Sequence, residues 1–105
     1  MIDRDFVRGF IKLYVLWRAR NQDVYGLKIL EEMKDLGFSI SPGTLYPTLH
    51  ALLRERDVTV SKHIVRGKVR KCYRLTKKGQ RELKEVKARL RVLVGTVFTS
   101  TINNE

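Results

Sequence analysis

Residues 58–75, VTVSKHIVRGKVRKCYRL, contain the pattern that decides the fold of this chain. Valine, isoleucine and threonine recur before the segment Arg66-Gly67-Lys68, and valine and tyrosine follow it. β-Branched and aromatic residues favour strands, and a glycine between two polar residues is typical of a tight turn. The stretch therefore predicts a β-hairpin whose turn lies at residues 66–68.

A helix is predicted immediately before the hairpin, over residues 41–56. Ser41 is a favoured N-cap, and Pro42 suits the first helical position because the N–H it lacks would have no partner there. One face of this helix carries the leucines Leu45, Leu49, Leu52 and Leu53. The opposite face carries Gly43, Thr44, Pro47, His50, Ala51 and Arg54, and Tyr46 lies at the edge between the two.

Two further helices are predicted nearer the N-terminus. Between Asp5 and Arg20, two neighbouring apolar stripes follow helical spacing. One stripe contains Phe6, Phe10, Leu13, Tyr14 and Trp17, and the other contains Val7, Ile11 and Val15. The second helix is predicted to extend from Asp23, a candidate N-cap, to Leu36, and Gly37 marks its end.

The last helix is predicted over residues 77–98, with Thr76 as its N-cap. Its apolar residues recur at alternating spacings of three and four, which is the pattern of a coiled-coil seam. These residues are Leu83, Val86, Leu90, Leu93 and Val97. Residues 99–105 lack the pattern and are predicted to form a frayed tail.

The net charge of +11 is confined to one part of the sequence. Residues 62–91 hold 13 basic and two acidic residues, whereas the rest of the chain holds nine of each. Such a segment is expected to dock a polyanion, and nucleic acid is the favoured partner. At the hairpin turn, Arg66, Lys68 and Arg70 are expected to bind DNA phosphates or the minor groove.

Composition argues against several other classes of protein. The 105 residues suffice for one small domain, whose core a second copy can complete. The single cysteine cannot form an intramolecular disulfide, which predicts an intracellular, cytoplasmic protein. Charges interrupt every apolar stretch before it is long enough to span a membrane. No catalytic constellation is apparent, so the sequence predicts neither an enzyme nor a cofactor.

Three residues with metal-binding side chains are distributed in a way that argues against a metal site. His50, His63 and Cys72 lie on three different predicted elements, without the spacing of metal ligands. Cys72 is therefore interpreted as a small buried hydrophobic residue.

The predicted order of elements, α-α-α-β-β-α, is that of a winged helix-turn-helix, which is mainly helical with a small β-hairpin. Three motifs resemble the PadR-like family of winged-helix transcriptional regulators, in the family's order, over roughly residues 10–85. They are Tyr25-Gly26-Leu27-Lys28-Ile29-Leu30, Gly43-Thr44-Leu45-Tyr46-Pro47-Thr48-Leu49 and Arg70-Lys71-Cys72-Tyr73-Arg74-Leu75-Thr76-Lys77-Lys78-Gly79.

The resemblance implies a homodimeric transcriptional regulator, expected to be a repressor, bound to double-stranded DNA at an inverted-repeat operator. Residues 1–76 would form the DNA-binding domain, and residues 77–98 a dimerisation helix packed with the first helix. The third helix would contact the major groove, while the hairpin over residues 58–76, here named the wing, would contact the backbone or minor groove. The expected DNA-binding residues are Tyr25, Lys28, Thr44, Tyr46, Pro47, His50, Arg54, Arg66, Lys68 and Arg70.

For the dimer interface, the sequence offers two apolar stripes that a single small core need not use. They consist of Val7, Ile11 and Val15 in the first helix and Leu83, Val86, Leu90 and Leu93 in the last. Two other functions stay open: a nucleoid-associated architectural protein that binds DNA without base selection, and a winged helix that binds an acidic protein. A small-molecule effector has no support in the sequence.

Overall fold

The computed structural model describes residues 3–104, with side chains up to residue 99. The elements in chain order are α1 (Arg4–Arg18), β1 (Val24–Tyr25), α2 (Gly26–Asp35), α3 (Pro42–Arg54), β2 (Val58–Val65), β3 (Lys68–Leu75) and α4 (Lys77–Asn104). This architecture confirms the predicted class, a mainly helical winged helix with a small antiparallel sheet. The short strand β1 is absent from the sequence prediction.

The sheet has three antiparallel strands in the order β1-β3-β2. Val65 at the end of β2 pairs with Lys68 at the start of β3, so Arg66 and Gly67 alone form the turn. Their φ angles are 50° and 79°, and a two-residue hairpin turn of this kind requires positive values at both positions. The predicted hairpin is thus confirmed, with Lys68 already in the strand.

Strand β1 corrects the predicted start of the second helix. It pairs with Cys72 and Tyr73 of β3, so the chain is extended just after Asp23, the expected N-cap. The helix α2 begins instead at Gly26, and its N-cap residue, Tyr25, makes no side-chain capping hydrogen bond. A two-residue strand carries no periodic signal in the sequence, because its conformation depends on the partner strand.

The core is built where α1 packs on α3 and α4 and where α2 packs on α3. Ile11 and Val15 of α1 lie inside it with 0% exposure. Their predicted role in a dimer interface is therefore wrong, because a single chain already covers them completely. The helical pattern identified an apolar stripe correctly, but it could not indicate whether the core or a partner covers that stripe.

A three-residue hydrogen-bonded cluster joins α1 to α2. Arg18 donates from Nε and Nη2 to the two carboxylate oxygens of Glu32, at 2.6 and 2.9 Å, and the Tyr14 hydroxyl donates to the same carboxylate at 2.6 Å. The hydrogen bond from Arg18 lowers the pKa of Glu32 below its ordinary value. Burial, with the carboxylate beside it, raises the pKa of Tyr14 to about 12.

The turn after α3 is fixed by contacts to the start of α4. The helix ends at Arg54, short of the predicted end at Arg56, where φ is +60° and the helix cannot continue. Asp57 is buried and accepts a hydrogen bond from Lys78 Nζ at 2.9 Å. The Thr76 hydroxyl accepts a hydrogen bond from a backbone N–H in the first turn of α4, as the predicted N-cap requires.

Helix α4 continues to Asn104, past the predicted end at residue 98. An existing helix gains one hydrogen bond for each added residue and needs no apolar period to extend, which explains the difference from the predicted tail. Glu105 lies outside the described residues. Leu83 in the first half of α4 is buried, whereas Leu93, Val97 and Phe98 are each more than half exposed.

Candidate nucleic-acid interface

Helix α3 presents an open face on the side opposite the core. On its leucine face, Leu45, Leu49 and Leu52 are buried and Leu53 is half-buried. Pro47, His50 and Arg54 are exposed, and Thr44 and Tyr46 are partly exposed beside them. All five predicted DNA contacts on this helix therefore lie at the surface. An α-helix is about 10–12 Å wide and fits a major groove about 12 Å wide.

A cleft of about 220 Å³ separates α3 from the wing and from the start of α2. It is lined by Tyr25, Gly26, Leu27, Tyr46, His50, Val69, Arg70, Lys71 and Tyr73. The structure thus brings together predicted DNA-binding residues from three separate motifs. A bound duplex could contact the helix and the wing at the same time.

Gly26 is needed for the position of Tyr46, a role that the sequence reasoning missed. A Cβ atom at residue 26 would lie 2.8 Å from Tyr46 Oη and 2.9 Å from Tyr46 Cε1. Those atoms belong to a rigid ring, so a side chain at residue 26 would displace it from the cleft. The glycine in the first motif was the available signal, but the sequence does not show which residue approaches it.

Arg70 is held at the edge of the cleft with unused hydrogen-bonding capacity. Its guanidinium carbon lies 5.3 Å from the centre of the Tyr25 ring, a cation–π distance. Its Nε atom is buried and has no hydrogen-bond partner among residues 3–99. Lys28 is exposed in the first turn of the neighbouring helix α2. The buried Nε of Arg70 is out of reach of a ligand, but the exposed ammonium group of Lys28 and the charge of Arg70 beside the cleft are suited to attracting phosphate oxygens.

At the tip of the wing, Arg66 and Lys68 are exposed, and neither forms an ion pair within the described part of the chain. The wing sequence contains no aspartate or glutamate. Among the described residues, the carboxylate that forms ion pairs with wing side chains is that of Asp23, in the loop before β1, and its partners are His63 and Arg74. Among the described residues, no carboxylate forms an ion pair with these two tip cations, so their charge is open to a polyanion.

Asp23 holds the wing against the rest of the domain. Its carboxylate accepts a hydrogen bond from Arg74 Nε at 2.5 Å and lies 3.0 Å from His63 Nε2. The two contacts join the loop before β1 to both strands of the wing. Arg74 is 51 positions from Asp23 in sequence, so no local pattern could have predicted this brace.

A second surface, the α1–α4 groove, is apolar. It is a cavity of about 360 Å³ lined by Phe10, Leu13, Tyr14, Trp17, Met33, Leu36, Phe38, Leu83, Lys87 and Leu90. Among the other predicted dimerisation residues, Val7 and Val86 are partly buried and Leu93 is 60% exposed. The sequence reasoning did not assign Phe10, Trp17 or Phe38 to this surface. Phe10 and Trp17 belong to the aromatic stripe of α1 and keep 39% and 40% exposure, whereas Phe38 lies in the loop after α2 and carries no periodic signal in the sequence.

Other candidate features have ordinary structural roles. Cys72 is buried on β3, and burial raises the pKa of its thiol, so the thiolate is disfavoured. Among the described residues, no group of three or more His, Cys, Asp or Glu side chains is close enough to hold a metal ion. Within the same residues, no helix combines the length and apolar character needed to cross a membrane.

The fold and the open face of α3 beside a cationic hairpin define a winged helix-turn-helix protein. The family model of the transcriptional regulator PadR-like family matches residues 13–85. The chain belongs to this family. It is therefore a transcriptional regulator, and membership implies that it binds DNA.

The relatives of the chain agree with this assignment. It is 35% identical over 95 residues to Transcriptional regulator Rv3488 of Mycobacterium tuberculosis, covering 90% of this chain and 89% of the relative. A PadR family transcriptional regulator from Eggerthella lenta has a crystal structure with a TM-score of 0.79 and 31% identity, covering 95% and 88% of the two chains. A shorter match, 40% identical over 50 residues, links 44% of this chain to 41% of the Replication termination protein of Bacillus subtilis.

Proposed function

We propose that the protein is a dimeric, sequence-specific regulator that represses transcription by occupying promoter DNA. One observation carries the proposal: the open face of α3 and the cations of the wing border the same cleft. None of the nine residues that line this cleft is acidic. Helix α3 enters the major groove, while the wing contacts the adjacent phosphates or the minor groove.

The proposed contacts divide into two kinds. Thr44, His50 and Arg54 contact base edges, and Pro47 contacts a thymine methyl group, because these residues occupy the exposed face of the helix that enters the groove. The remaining side chains contact the DNA backbone or the minor groove and set the register of the complex. They are Tyr25, Lys28, Tyr46, Arg66, Lys68 and Arg70.

The dimer is proposed to form through the α1–α4 groove. The groove is apolar, and its last residue on α4 is Leu90. Farther along the same helix, residues 92–104 contain no charged residue. A second copy would cover both with its own apolar surface. A twofold axis would place the two α3 helices about 34 Å apart, one turn of B-DNA, so the operator would be an inverted repeat.

This role requires neither catalysis nor a cofactor. We place the protein in the cytoplasm, at the nucleoid, where duplex DNA is available. Residues 1–76 are proposed to supply the DNA contacts, and α4 is proposed to hold the dimer together.

Selection of bound sites from a random duplex library tests the proposal. We expect an enriched inverted repeat that is bound at least about 10³-fold more tightly than random duplex at physiological salt. The affinity should also fall with salt, by a slope of about 0.9 in log K against log salt for each phosphate contact.

Two outcomes would assign a different function. Salt-dependent binding without any enriched motif would indicate an architectural protein. Failure to bind duplex DNA at low salt would favour a winged helix that binds an acidic protein partner.

A further inference from the structure

Two aliphatic side chains near the turn of the wing are largely exposed, although they are apolar. Ile64 is 76% exposed and is the most exposed large hydrophobic side chain among residues 3–99, while Val69 is 68% exposed. The two residues are directly opposite each other in the β2–β3 register. Together they form an apolar pair in the outer half of the wing, next to the last pair before the turn, Val65 and Lys68.

The apolar pair faces the same side of the sheet as the open face of α3. Side chains alternate between the two faces of a strand, so Ile64 lies on the face that also carries buried Val58. Across the sheet, Val69 lines the cleft that is shared with Tyr46 and His50. A duplex bound along α3 would therefore meet the apolar pair, not the back of the wing.

Cations precede and follow the apolar pair along the hairpin. Lys62 and Lys71 form the next pair on the same face, toward the core, and Lys68, paired with Val65 beside the turn at Arg66, follows on the opposite face of the strand. The wing has no acidic residue. A purely apolar protein partner would leave these cations without counter-charge, whereas a nucleic-acid groove has phosphates on both rims and sugar carbons on its walls.

We propose that Ile64 and Val69 enter the minor groove beside the site of α3 and pack against its deoxyribose walls, with the flanking cations on the phosphates. This inference rests on the proposed function, because it requires that α3 docks on duplex DNA. Minor-groove proteins commonly use apolar side chains between basic ones in this way. The aliphatic pair would contribute affinity without releasing counterions.

The double variant Ile64→Thr/Val69→Thr tests this contact. Threonine keeps the β-branched shape, so the hairpin is retained, but a hydroxyl replaces a methyl group of Val69 and the ethyl group of Ile64. We expect a loss of affinity of about tenfold on duplex DNA, with the salt slope unchanged. The matched control Ile64→Val/Val69→Ile exchanges the two side chains and should bind like the wild type, whereas Arg66→Ala should reduce the slope.

A second measurement tests which groove is involved. Replacing guanine by inosine in the DNA flank covered by the wing removes the 2-amino group from the minor groove and leaves the major-groove edge intact. Wild-type protein should bind the inosine duplex severalfold more tightly, and the double threonine variant should gain less. Single variants, checked by circular dichroism, replace the double variant if it unfolds.

Several results would overturn the inference. They are unchanged affinity of the threonine variants, a changed salt slope, an equal loss of affinity for heparin, or indifference of the wild type to inosine. In each of these cases a selected operator motif would still support the proposed function. Absence of duplex binding by the wild type would instead remove the proposed function itself.

Discussion

The two open surfaces of this small domain are opposite in chemistry. The wing has cations without a single acidic residue, whereas residues 92–104 of α4 have no charge of either sign. The wing also accepts backbone strain, since Arg66 has a φ of 50° at its tip, while the apolar surface is formed mainly by side chains of α1 and α4, with Phe38 from the loop after α2. The difference indicates two partners of different kinds, a polyanion for one surface and a second apolar surface for the other.

The largest effect is expected at the apolar surface. Leu90→Glu would place a charge in the dimer seam, and an unpaired buried charge costs several kcal/mol. We expect monomers in sedimentation at micromolar concentration and at least a hundredfold loss of operator affinity, although every proposed DNA contact remains. Ala88→Glu introduces the same charge on the opposite side of α4 and should leave the dimer intact. A wild-type monomer, or normal binding by Leu90→Glu, would refute the dimer model.

Gly26→Ala tests the packing of Gly26 against the Tyr46 ring in the cleft. The new methyl group would collide with the Tyr46 ring, and such overpacking costs up to about 3 kcal/mol. Thermal melting should show this loss together with weaker DNA binding. Gly9→Ala is the control for stability, because a Cβ there meets no atom within 4 Å. Equal stability of Gly26→Ala and the wild type would mean that the contact with Tyr46 has no importance.

The two parts of the DNA surface should respond differently to alanine. Arg54→Ala and Thr44→Ala should each cost about 2 kcal/mol on the operator and little on random duplex, since base-edge contacts discriminate between sequences. Arg66→Ala and Lys68→Ala should weaken both alike and reduce the salt slope. Competition binding at two salt concentrations separates these effects. Uniform losses in all four variants would show that α3 does not select bases.

Glu32→Gln tests the hydrogen-bonded cluster of Tyr14, Arg18 and Glu32, which joins α1 to α2. Helix α1 borders the apolar groove, and α2 borders the cleft. The folded pKa of Glu32 is depressed, so its contribution is present above the ordinary glutamate pKa and is lost as pH falls through the folded value. We expect a loss of about 1 to 2 kcal/mol at neutral pH, shrinking under acidic conditions. Urea unfolding at neutral and at acidic pH measures the difference in free energy of unfolding between the variant and the wild type. Tyr14→Phe, which removes one hydrogen bond, should lose less stability. A pH-independent difference would contradict the assignment.

The smallest effect is a gain in stability. Arg56 has a left-handed φ of +60°, which glycine adopts without the steric cost of a Cβ atom. Arg56→Gly should therefore raise the free energy of unfolding by about 1 kcal/mol. Arg56→Ala removes the same charge but keeps the Cβ atom, so it should give no such gain. If alanine stabilises as much as glycine, the charge and not the backbone is responsible.

Local sequence patterns determined most of the fold. Pro42, Thr76 and the Arg66-Gly67 turn marked boundaries correctly, because capping and turn preferences act within a few residues. Ser41 occupies the predicted N-cap position, but its side chain makes no capping hydrogen bond. The concentration of charge in residues 62–91 indicated a polyanionic partner, since net charge requires no knowledge of packing. The three motifs supplied the family that the comparisons confirmed.

Only the tertiary structure decided which surfaces remain open. The sequence gives two apolar stripes on α1, and packing against α3 and α4 covers Ile11 and Val15 while leaving Phe10 and Trp17 partly exposed. The tertiary structure also created strand β1 and the contacts of Asp23 with Arg74 and His63. Periodicity fixes the angle between side chains on one helix, but the direction of a face depends on contacts between residues far apart in sequence.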